Sequence, residues 1–389
     1  MCGHKNNFLF CARTQKRLVF DKPRMKIMEQ RIRIKDIAEK AGVSTGTVDR
    51  VIHQRGNVSP KVKEKVLNVM KDLGYERNII ASTLAYNRVF LIAALLPDSS
   101  HDLYWEQPKL GLEKAYKNVL HYGVRLKPLY FDQFDPKSFL DKAKELWQED
   151  MLPDAVLFTP LFYKESLELL AECKRKNIPN AIINTNIENS DSLCFIGPDS
   201  YQSGVLGARL LNFGLNQGET VMILNLAKGS ANAQHLVEKE RGFRDYFGNV
   251  KDKEIKVVKS VFEEFHDLGK LKEFLKVHLK IYPKLSGLFV TNSRAYKVVE
   301  CLTEEEIKKI KIVGFDLIEP NLVHLRGNKL NFIINQNPVQ QGYLGVMNIV
   351  NHLILKKEVE RIQYLPLDIV VNENVEYYLR EKMEYQIVL

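Results

Sequence analysis

The chain has 389 residues, of which 45% are hydrophobic and 27% are charged, and this composition excludes a largely disordered or fibrous protein. No apolar run approaches the roughly 18 residues of a membrane-spanning helix, and the five cysteines form neither a disulfide framework nor a zinc-binding pattern. Residues 1–90 carry 19 Lys and Arg against 8 Asp and Glu, a net charge of +11, whereas the other 299 residues carry a net charge of −2. A basic segment on a nearly neutral body indicates that one end binds a polyanion.

The first 30 residues show no helical or strand periodicity. We interpret residues 1–30 as a disordered tail or as a start site assigned too early, because Met25 and Met28 lie just before the first regular pattern. This segment also lacks the long apolar stretch and small-residue cleavage site of a signal peptide. We therefore expect a cytoplasmic protein whose first folded domain begins at residue 31.

Three short helices are predicted over residues 31–75. Apolar side chains recur at helical spacing from Ile34 to Ala41, and Gly42 follows, where a left-handed backbone conformation costs little. Ser44 is a natural N-cap for the second helix, and Ser59 for the third. Helices this short need one another to bury their apolar faces, so we expect a small bundle.

The first two helices and the turn between them form a helix–turn–helix pattern. The second helix of such a pair can lie in the major groove of DNA, with its first turns at the base edges. Arg50 on this helix can donate two hydrogen bonds to guanine O6 and N7, the commonest specific contact with a base. We predict a DNA-binding domain over residues 31–75, and the alternative is a structural bundle with a solvated face.

From Phe90 onward, runs of apolar residues alternate with amphipathic helical stretches. Strands that are apolar on both faces and are followed by helices indicate parallel α/β sheets. Eleven strands are many for one sheet, so we predict two doubly wound lobes that bind a ligand at the carboxyl ends of their strands. The predicted strands are 90–97, 123–131, 155–160, 180–186, 193–198, 220–226, 255–262, 287–292, 311–316, 330–336 and 365–371.

The helix–turn–helix segment resembles the lactose-repressor (LacI) family of bacterial transcription regulators. Its pattern is Ile-x-Asp-Ile-Ala, Ala-Gly-Val-Ser and Thr-Val-x-Arg-Val, followed by Leu73-Gly74-Tyr75, and the resemblance covers essentially Arg33–Leu389. It implies a homodimer on a palindromic operator. Asp49 and His53 depart from the Ser and Asn that are usual in the family. The DNA-binding positions that the resemblance implies are Thr45, Gly46, Thr47, Asp49, Arg50, His53, Asn57 and Ser59.

Residues 76–88 resemble the hinge helix and linker of this family. The helical segment is too short to be stable alone. In the family, two such helices form on DNA and push a leucine into the minor groove, and Leu84 occupies that position. An apolar wedge there would unstack a base step and kink the duplex, and the alternative for Leu84 is a plain linker contact.

Residues 89–389 resemble periplasmic receptors of the ribose-binding type, whose two lobes close on a sugar. The fold class is therefore predicted as an all-α helix–turn–helix bundle with a hinge helix, followed by a two-lobed α/β domain with parallel sheets. Lobe 1 is expected at about 89–197 and 337–368, and lobe 2 at about 198–336 and 369–389.

Polar and aromatic residues at the predicted strand ends are suited to a sugar. Aromatic rings pack on its C–H face, and carboxylates and amides bond its hydroxyl groups. The family often has Arg-x-x-Gly-Phe in this helix, whereas this chain has Lys239 at the Arg position and Arg241 next to Gly242. The identity of the ligand therefore cannot be inferred from a relative. The positions that the resemblance assigns to the effector are Asp102, Tyr104, Trp105, Thr159, Asn184, Lys239, Arg241, Asn292, Asp316 and Gln336.

Three functional classes compete for this pattern. A sugar receptor without a regulatory role would not need residues 31–88, and an enzyme is disfavoured because no phosphate-binding or dinucleotide-binding glycine motif is present. We predict a ligand-responsive repressor of carbohydrate metabolism genes that is not an enzyme and has no metal or cofactor. Its expected partners are double-stranded operator DNA, a small sugar-like effector and a second copy of the chain, without a membrane. The same parts serve an inducer and a co-repressor.

Overall fold

The computed structural model describes most of the chain beyond residue 31. The predicted tail and hinge, with Leu84, lie outside the described residues, as do the DNA-binding positions His53 and Asn57. The chain divides into two units, residues 1–78 and 79–389, and each is described by itself. Within the described part of the chain, no helix is both long and apolar enough to cross a bilayer. The described residues are 32–52, 56, 58–75, 89–148, 152–228, 233–250 and 253–379.

The first unit is the predicted three-helix bundle, with α1 at Ile34–Ala41, α2 at Thr45–Ile52 and α3 at Pro60–Asp72. Gly42 ends α1 with a φ of 59°, a left-handed conformation that glycine adopts without strain. The apolar faces of the three helices meet in one core, which contains Ile37, Ala38, Ala41, Val48, Val51 and Val66.

The two predicted N-caps of this unit have different outcomes. The Ser44 hydroxyl accepts a hydrogen bond from the backbone N–H of Thr47 at 3.1 Å, so this cap is confirmed. Ser59 is the N-cap residue of α3, as predicted, but its side chain makes no capping hydrogen bond. Pro60 at the first helical position has no N–H to satisfy and has φ fixed near the helical value, so α3 begins without help from the Ser59 side chain.

The second unit is built on two six-stranded sheets. In the first sheet the strand order is β11-β5-β4-β3-β1-β2, and in the second it is β12-β10-β9-β8-β6-β7. All neighbouring strands are parallel except β10 and β12, which are antiparallel. The strands are β1 Phe90–Pro97, β2 Val124–Phe131, β3 Ala155–Phe158, β4 Asn180–Ile183, β5 Cys194–Gly197, β6 Thr220–Asn225, β7 Lys256–Val261, β8 Leu285–Val290, β9 Lys311–Phe315, β10 Phe332–Asn335, β11 Ile362–Tyr364 and β12 Asp368–Val370.

Helices follow most strands, as expected where parallel strands need crossover connections. Short 3₁₀ turns at Leu103–Trp105 and Leu120–Tyr122 flank the first of them. The helices are α4 Glu106–Val119, α5 Pro136–Glu145, α6 Tyr163–Arg175, α7 Ser200–Asn212, α8 Gln234–Asn249, α9 Leu268–Ile281, α10 Ala295–Cys301, α11 Glu304–Lys309, α12 Glu319–Arg326 and α13 Pro338–Leu353.

The last predicted strand, 365–371, is confirmed only in part: β12 at Asp368–Val370 lies within it, whereas β11 at Ile362–Tyr364 precedes it and was not predicted. The two short strands belong to different sheets, because β11 pairs with β5 and β12 pairs with β10. Pro366 lies between them, and proline removes the N–H that a continuous strand would need. The chain therefore passes from one lobe to the other here, as it also does after β5 and after β10.

Each lobe contains one pair of helices in unusually close contact. A Cβ atom on Gly342 of α13 would lie 2.1 Å from the carbonyl oxygen of Pro108 in α4, and one on Gly242 of α8 would lie 2.0 Å from the carbonyl oxygen of Tyr201 in α7. Only glycine permits this backbone approach. Because α7 and α8 are fixed in this way, the inward face of α8 has a defined position at the cleft between the lobes.

Candidate functional site

The outward face of α2 carries the predicted DNA-binding residues that lie within this helix. Thr45, Gly46 and Arg50 are exposed, and Thr47 and Asp49 are half-buried. The Thr47 hydroxyl lies 2.9 Å from the Ser44 hydroxyl, so it also supports the start of the helix. Val48 and Val51 occupy the opposite, buried face. Ser59 is exposed in front of α3.

A cavity of about 140 Å³ lies between the two lobes, where residues following the strands of both sheets meet. Eight of the ten predicted effector residues line it. They are Asp102, Tyr104, Trp105, Asn184, Lys239, Asn292, Asp316 and Gln336.

Thr159 and Arg241 do not line the cavity. Thr159 is fully buried, and among the described residues its hydroxyl has no hydrogen-bond partner. The Arg241 side chain is 59% exposed and pairs with Glu238 at 2.6 Å. Two residues along a helix correspond to a rotation of about 200°, so Arg241 faces away from the cleft because Lys239 faces it.

One wall of the cavity is a buried polar network on lobe 2. Lys239 is 3% exposed, and its Nζ donates to the carbonyl oxygen of Thr291 at 3.1 Å and to Oε1 of Gln336 at 3.2 Å. Gln336 Nε2 in turn donates to both carboxylate oxygens of Asp316, at 3.0 and 3.1 Å. Burial lowers the pKa of Lys239 to about 8, while the Asp316 carboxylate opposes this shift.

Lobe 1 contributes an aromatic wall. The Tyr104 hydroxyl accepts a hydrogen bond from Asn184 Nδ2 at 2.6 Å, and its ring packs edge-on against that of Trp105, with centroids 4.7 Å apart. The pKa of Tyr104 is well above its usual value because the hydroxyl is buried, and the negative charge of Asp316 raises it further. The Tyr104 hydroxyl and the Asp316 carboxylate thus line the same cavity from different lobes.

An ion pair joins the two lobes at the side of the cavity. Arg294 Nη2 on lobe 2 lies 2.5 Å from Asp102 Oδ2 on lobe 1, and both side chains are less than 10% exposed. The Ser293 hydroxyl also donates to Asp102, at 2.9 Å. Asp102 is predicted to bond a sugar hydroxyl, but in the structure protein donors already engage its carboxylate.

Asn292 also makes hydrogen bonds within the protein. Its Nδ2 donates to the carbonyl oxygen of Leu226 at 3.0 Å, and its Oδ1 accepts from the backbone N–H of Arg294 at 3.2 Å. These bonds shape the turn after β8. They place Arg294 so that its Nη1 also donates to Leu226, at 3.1 Å.

The lining residues that the sequence analysis did not predict include Gln133, His235 and Arg294. Burial and the nearby Lys239 lower the pKa of His235 to about 3, so this imidazole is neutral. Trp105 Nε1 donates to Gln133 Oε1 at 3.1 Å. Arg294 could have been suspected from the sequence, because it lies two residues after a predicted strand-end Asn.

A helix–turn–helix unit followed by a two-lobed α/β domain with a polar, aromatic-lined cleft defines a class of ligand-binding bacterial regulatory proteins. The family model for the periplasmic binding protein domain matches residues 92–358, and that for bacterial regulatory proteins of the lacI family matches residues 33–78. The chain belongs to the lacI family of bacterial regulatory proteins, and its larger unit is a periplasmic-binding-protein domain.

Individual relatives agree with this assignment. The HTH-type transcriptional regulator DegA of Bacillus subtilis is 34% identical over 151 residues, which are 39% of this chain and 43% of DegA, so this match spans less than half of that relative. The ribose operon repressor of Halalkalibacterium halodurans is 25% identical over 344 residues, 86% of this chain and 92% of the repressor. A crystal structure from Bacteroides fragilis, described as a LacI transcriptional regulator, has a TM-score of 0.68 at 26% identity and covers 75% of this chain and 100% of that chain.

Proposed function

We propose that this protein is a DNA-binding transcription repressor of carbohydrate metabolism genes, and that a small carbohydrate in the inter-lobe cleft sets its operator affinity. The observation that carries the proposal is that one chain holds both an exposed α2 face with Arg50 and a polar cleft lined from two lobes. The names of the relatives, a transcriptional regulator and a ribose operon repressor, support it. The protein acts by binding, without an enzymatic step, in the cytoplasm.

On the DNA side, α2 enters the major groove and Arg50 bonds a guanine. The net charge of +11 on residues 1–90 supplies the sequence-independent attraction to phosphate groups. A homodimer presents two copies of α2, so its operator is a palindrome with half-sites about 34 Å apart or a multiple of that distance. Leu84 of each subunit acts as the minor-groove wedge between the half-sites.

On the effector side, a carbohydrate contacts Tyr104 and Asn184 from lobe 1, and Lys239, Asp316 and Gln336 from lobe 2. Because these contacts span both lobes, the ligand favours the closed arrangement of the cleft. It shifts operator affinity only by the difference between its affinities for the DNA-bound and free states, typically about 1–3 kcal/mol.

The test begins with selection of an operator from a random DNA pool by the purified full-length chain. Binding of the selected and a scrambled duplex is then compared at one salt concentration for wild type and Arg50→Ala, with Lys280→Gln, an exposed charge change on α9, as the control. We expect an enriched palindrome and a lower specificity ratio in Arg50→Ala alone. Recovery of no preferred sequence, with binding that depends only on salt, would instead leave the chain as a ligand-binding receptor.

A further inference from the structure

One corner of the cavity gathers nitrogen-bearing side chains around the ring of Phe134. Lys228 Nζ lies 5.7 Å from the ring centroid, and the Arg294 guanidinium carbon lies 5.8 Å from it. The imidazole of His266, which lines an adjoining pocket and not the cavity itself, packs edge-on against the same ring, with centroids 5.8 Å apart. Phe134 and its neighbour Gln133 belong to lobe 1, whereas the other three belong to lobe 2. We call Gln133, Phe134, Lys228, His266 and Arg294 the basic corner.

Gln133 carries a buried hydrogen-bond donor beside this corner. The indole N–H of Trp105 can only donate, so the Gln133 atom that it contacts at 3.1 Å is the oxygen. The amide nitrogen therefore points away from Trp105. It is buried, and within the described part of the structure it has no hydrogen-bond partner. A buried donor without a partner is costly, and a ligand atom that accepts its hydrogen bond would remove that cost.

The charges that line the cavity do not balance. The described lining residues include three cations, Lys228, Lys239 and Arg294, and two carboxylates, Asp102 and Asp316. Protein donors engage both carboxylates, because Arg294 and Ser293 bind the first and Gln336 binds the second. The nearby Asp132 carboxylate accepts from the backbone N–H of Phe134 at 2.8 Å and does not line the cavity. The described lining residues thus carry one more positive charge than negative charges.

The two histidines beside the cleft are consistent with a positive field there. Burial lowers the pKa of His266, and the cations Lys297, Arg294 and Lys228 lower it further. Burial and the charge of Lys239 likewise lower the pKa of His235.

We propose that the effector is an anionic carbohydrate, with its charged group in the basic corner and its hydroxyl groups toward Tyr104, Asn184 and Asp316. One oxygen of a carboxylate or phosphate would accept from Gln133 on lobe 1, and another would face Lys228 and Arg294 on lobe 2. Charge-assisted hydrogen bonds are stronger than neutral ones, so the anion would contribute to holding the lobes together. This inference rests on the proposed carbohydrate-binding function of the cleft.

The test compares neutral sugars with anionic partners that differ from them only in the group at carbon 6. Galactose is paired with galacturonate, and glucose with glucuronate and glucose 6-phosphate. Binding to the full-length wild-type chain is measured by thermal shift and then by calorimetry. We expect at least one anionic member to bind about tenfold or more tightly than its neutral partner. The carboxylate and phosphate arms show which anion the corner takes.

Three variants connect such a preference to the basic corner. Gln133→Glu keeps an oxygen for Trp105 but replaces the unpartnered amide nitrogen with a carboxylate oxygen, and we expect this negative charge to abolish the preference. Lys228→Gln should reduce the preference several-fold, and the control Lys280→Gln should retain it. The inference is overturned if no anionic sugar binds more tightly than its neutral partner, or if Gln133→Glu retains the preference.

Operator binding is measured separately in the absence of sugar. A wild-type chain that prefers anionic sugars but selects no DNA sequence would contradict the proposed repressor function and leave this inference standing. A neutral sugar that binds the cleft and changes operator affinity would support the proposed repressor function and contradict the inference of an anionic effector.

Discussion

The ion pair between Asp102 and Arg294 allows a sharp test of how the two lobes are held together. Arg294→Met removes the guanidinium and keeps much of the side-chain volume. It leaves the Asp102 carboxylate, 9% exposed, without its cation. Removing one partner of a buried ion pair typically costs about 3–5 kcal/mol, because the other charge remains buried and uncompensated.

Because the partners lie on different lobes, opening of the cleft returns Asp102 to water. The cost therefore falls on the closed arrangement more than on the folding of either lobe. A change of about 3 kcal/mol shifts an equilibrium by roughly two orders of magnitude. We expect Arg294→Met to have a larger radius of gyration than wild type in small-angle X-ray scattering. Its urea-unfolding midpoint should change less than it would if the same roughly 3–5 kcal/mol were lost within the core of one lobe.

A double-mutant cycle isolates the pair. Asp102→Asn combined with Arg294→Met leaves no stranded charge, so the double variant should be closer to wild type than the sum of the single changes, with a coupling energy above about 1.5 kcal/mol. Arg244→Met is the control, because Arg244 pairs with Glu240 on its own helix and is 41% exposed. If the free-energy changes of the two single variants add up to that of the double variant, or if scattering of Arg294→Met is unchanged, this pair does not link the lobes.

Two further predictions concern stability. Gly242→Ala should lower the free energy of unfolding by about 1–3 kcal/mol, because the added methyl group overpacks against Tyr201. Gly248→Ala, which has open space at its Cβ, should be neutral or stabilising by up to about 1 kcal/mol. Urea unfolding measures both variants, and equal losses of stability would contradict the close contact at Gly242. As the pH falls from 6.5 toward 3, the unfolded chain takes up a proton at His235 that the folded protein does not. Wild type should therefore lose stability over this range more steeply than His235→Gln, and parallel curves would show that the imidazole is not buried in its neutral form.

Much of the fold follows from the sequence because its physical signals are local. Helical spacing, a glycine after α1 and a capping serine before α2 predict the helix–turn–helix bundle, and apolar runs predict the parallel strands. The split between β11 and β12 is not local, because strands of three residues each carry little pattern, and which sheet each one joins depends on tertiary contacts. Pro366 was the available signal for a break.

The residues that line the cleft could be predicted from the sequence about as well as the fold. The carboxyl ends of parallel strands lie at the same edge of a sheet, and most of the predicted effector positions that line the cavity, such as Asp316, follow a strand. Arg241 could have been set aside from its helical angle to Lys239. The partnership of Asp102 with Arg294 depends on how the two lobes approach each other, and no pattern within one lobe specifies that distance. The orientation of the Gln133 amide depends on its contact with Trp105 in the same lobe, which is a tertiary contact and has no local sequence signal.

The most direct test of the regulator assignment is operator affinity at one salt concentration, with and without an effector identified by thermal shift. It is measured for wild type, Arg50→Ala and Asp316→Asn, in which Asn suits the left-handed backbone of this residue (φ 70°). Wild type should bind the operator and respond to the effector. Arg50→Ala should lose about 1–3 kcal/mol of operator affinity and still bind the effector, while Asp316→Asn should bind the operator and no longer respond. An Asp316→Asn protein that responds at the wild-type effector concentration, or an Arg50→Ala protein with unchanged operator preference, would contradict the account.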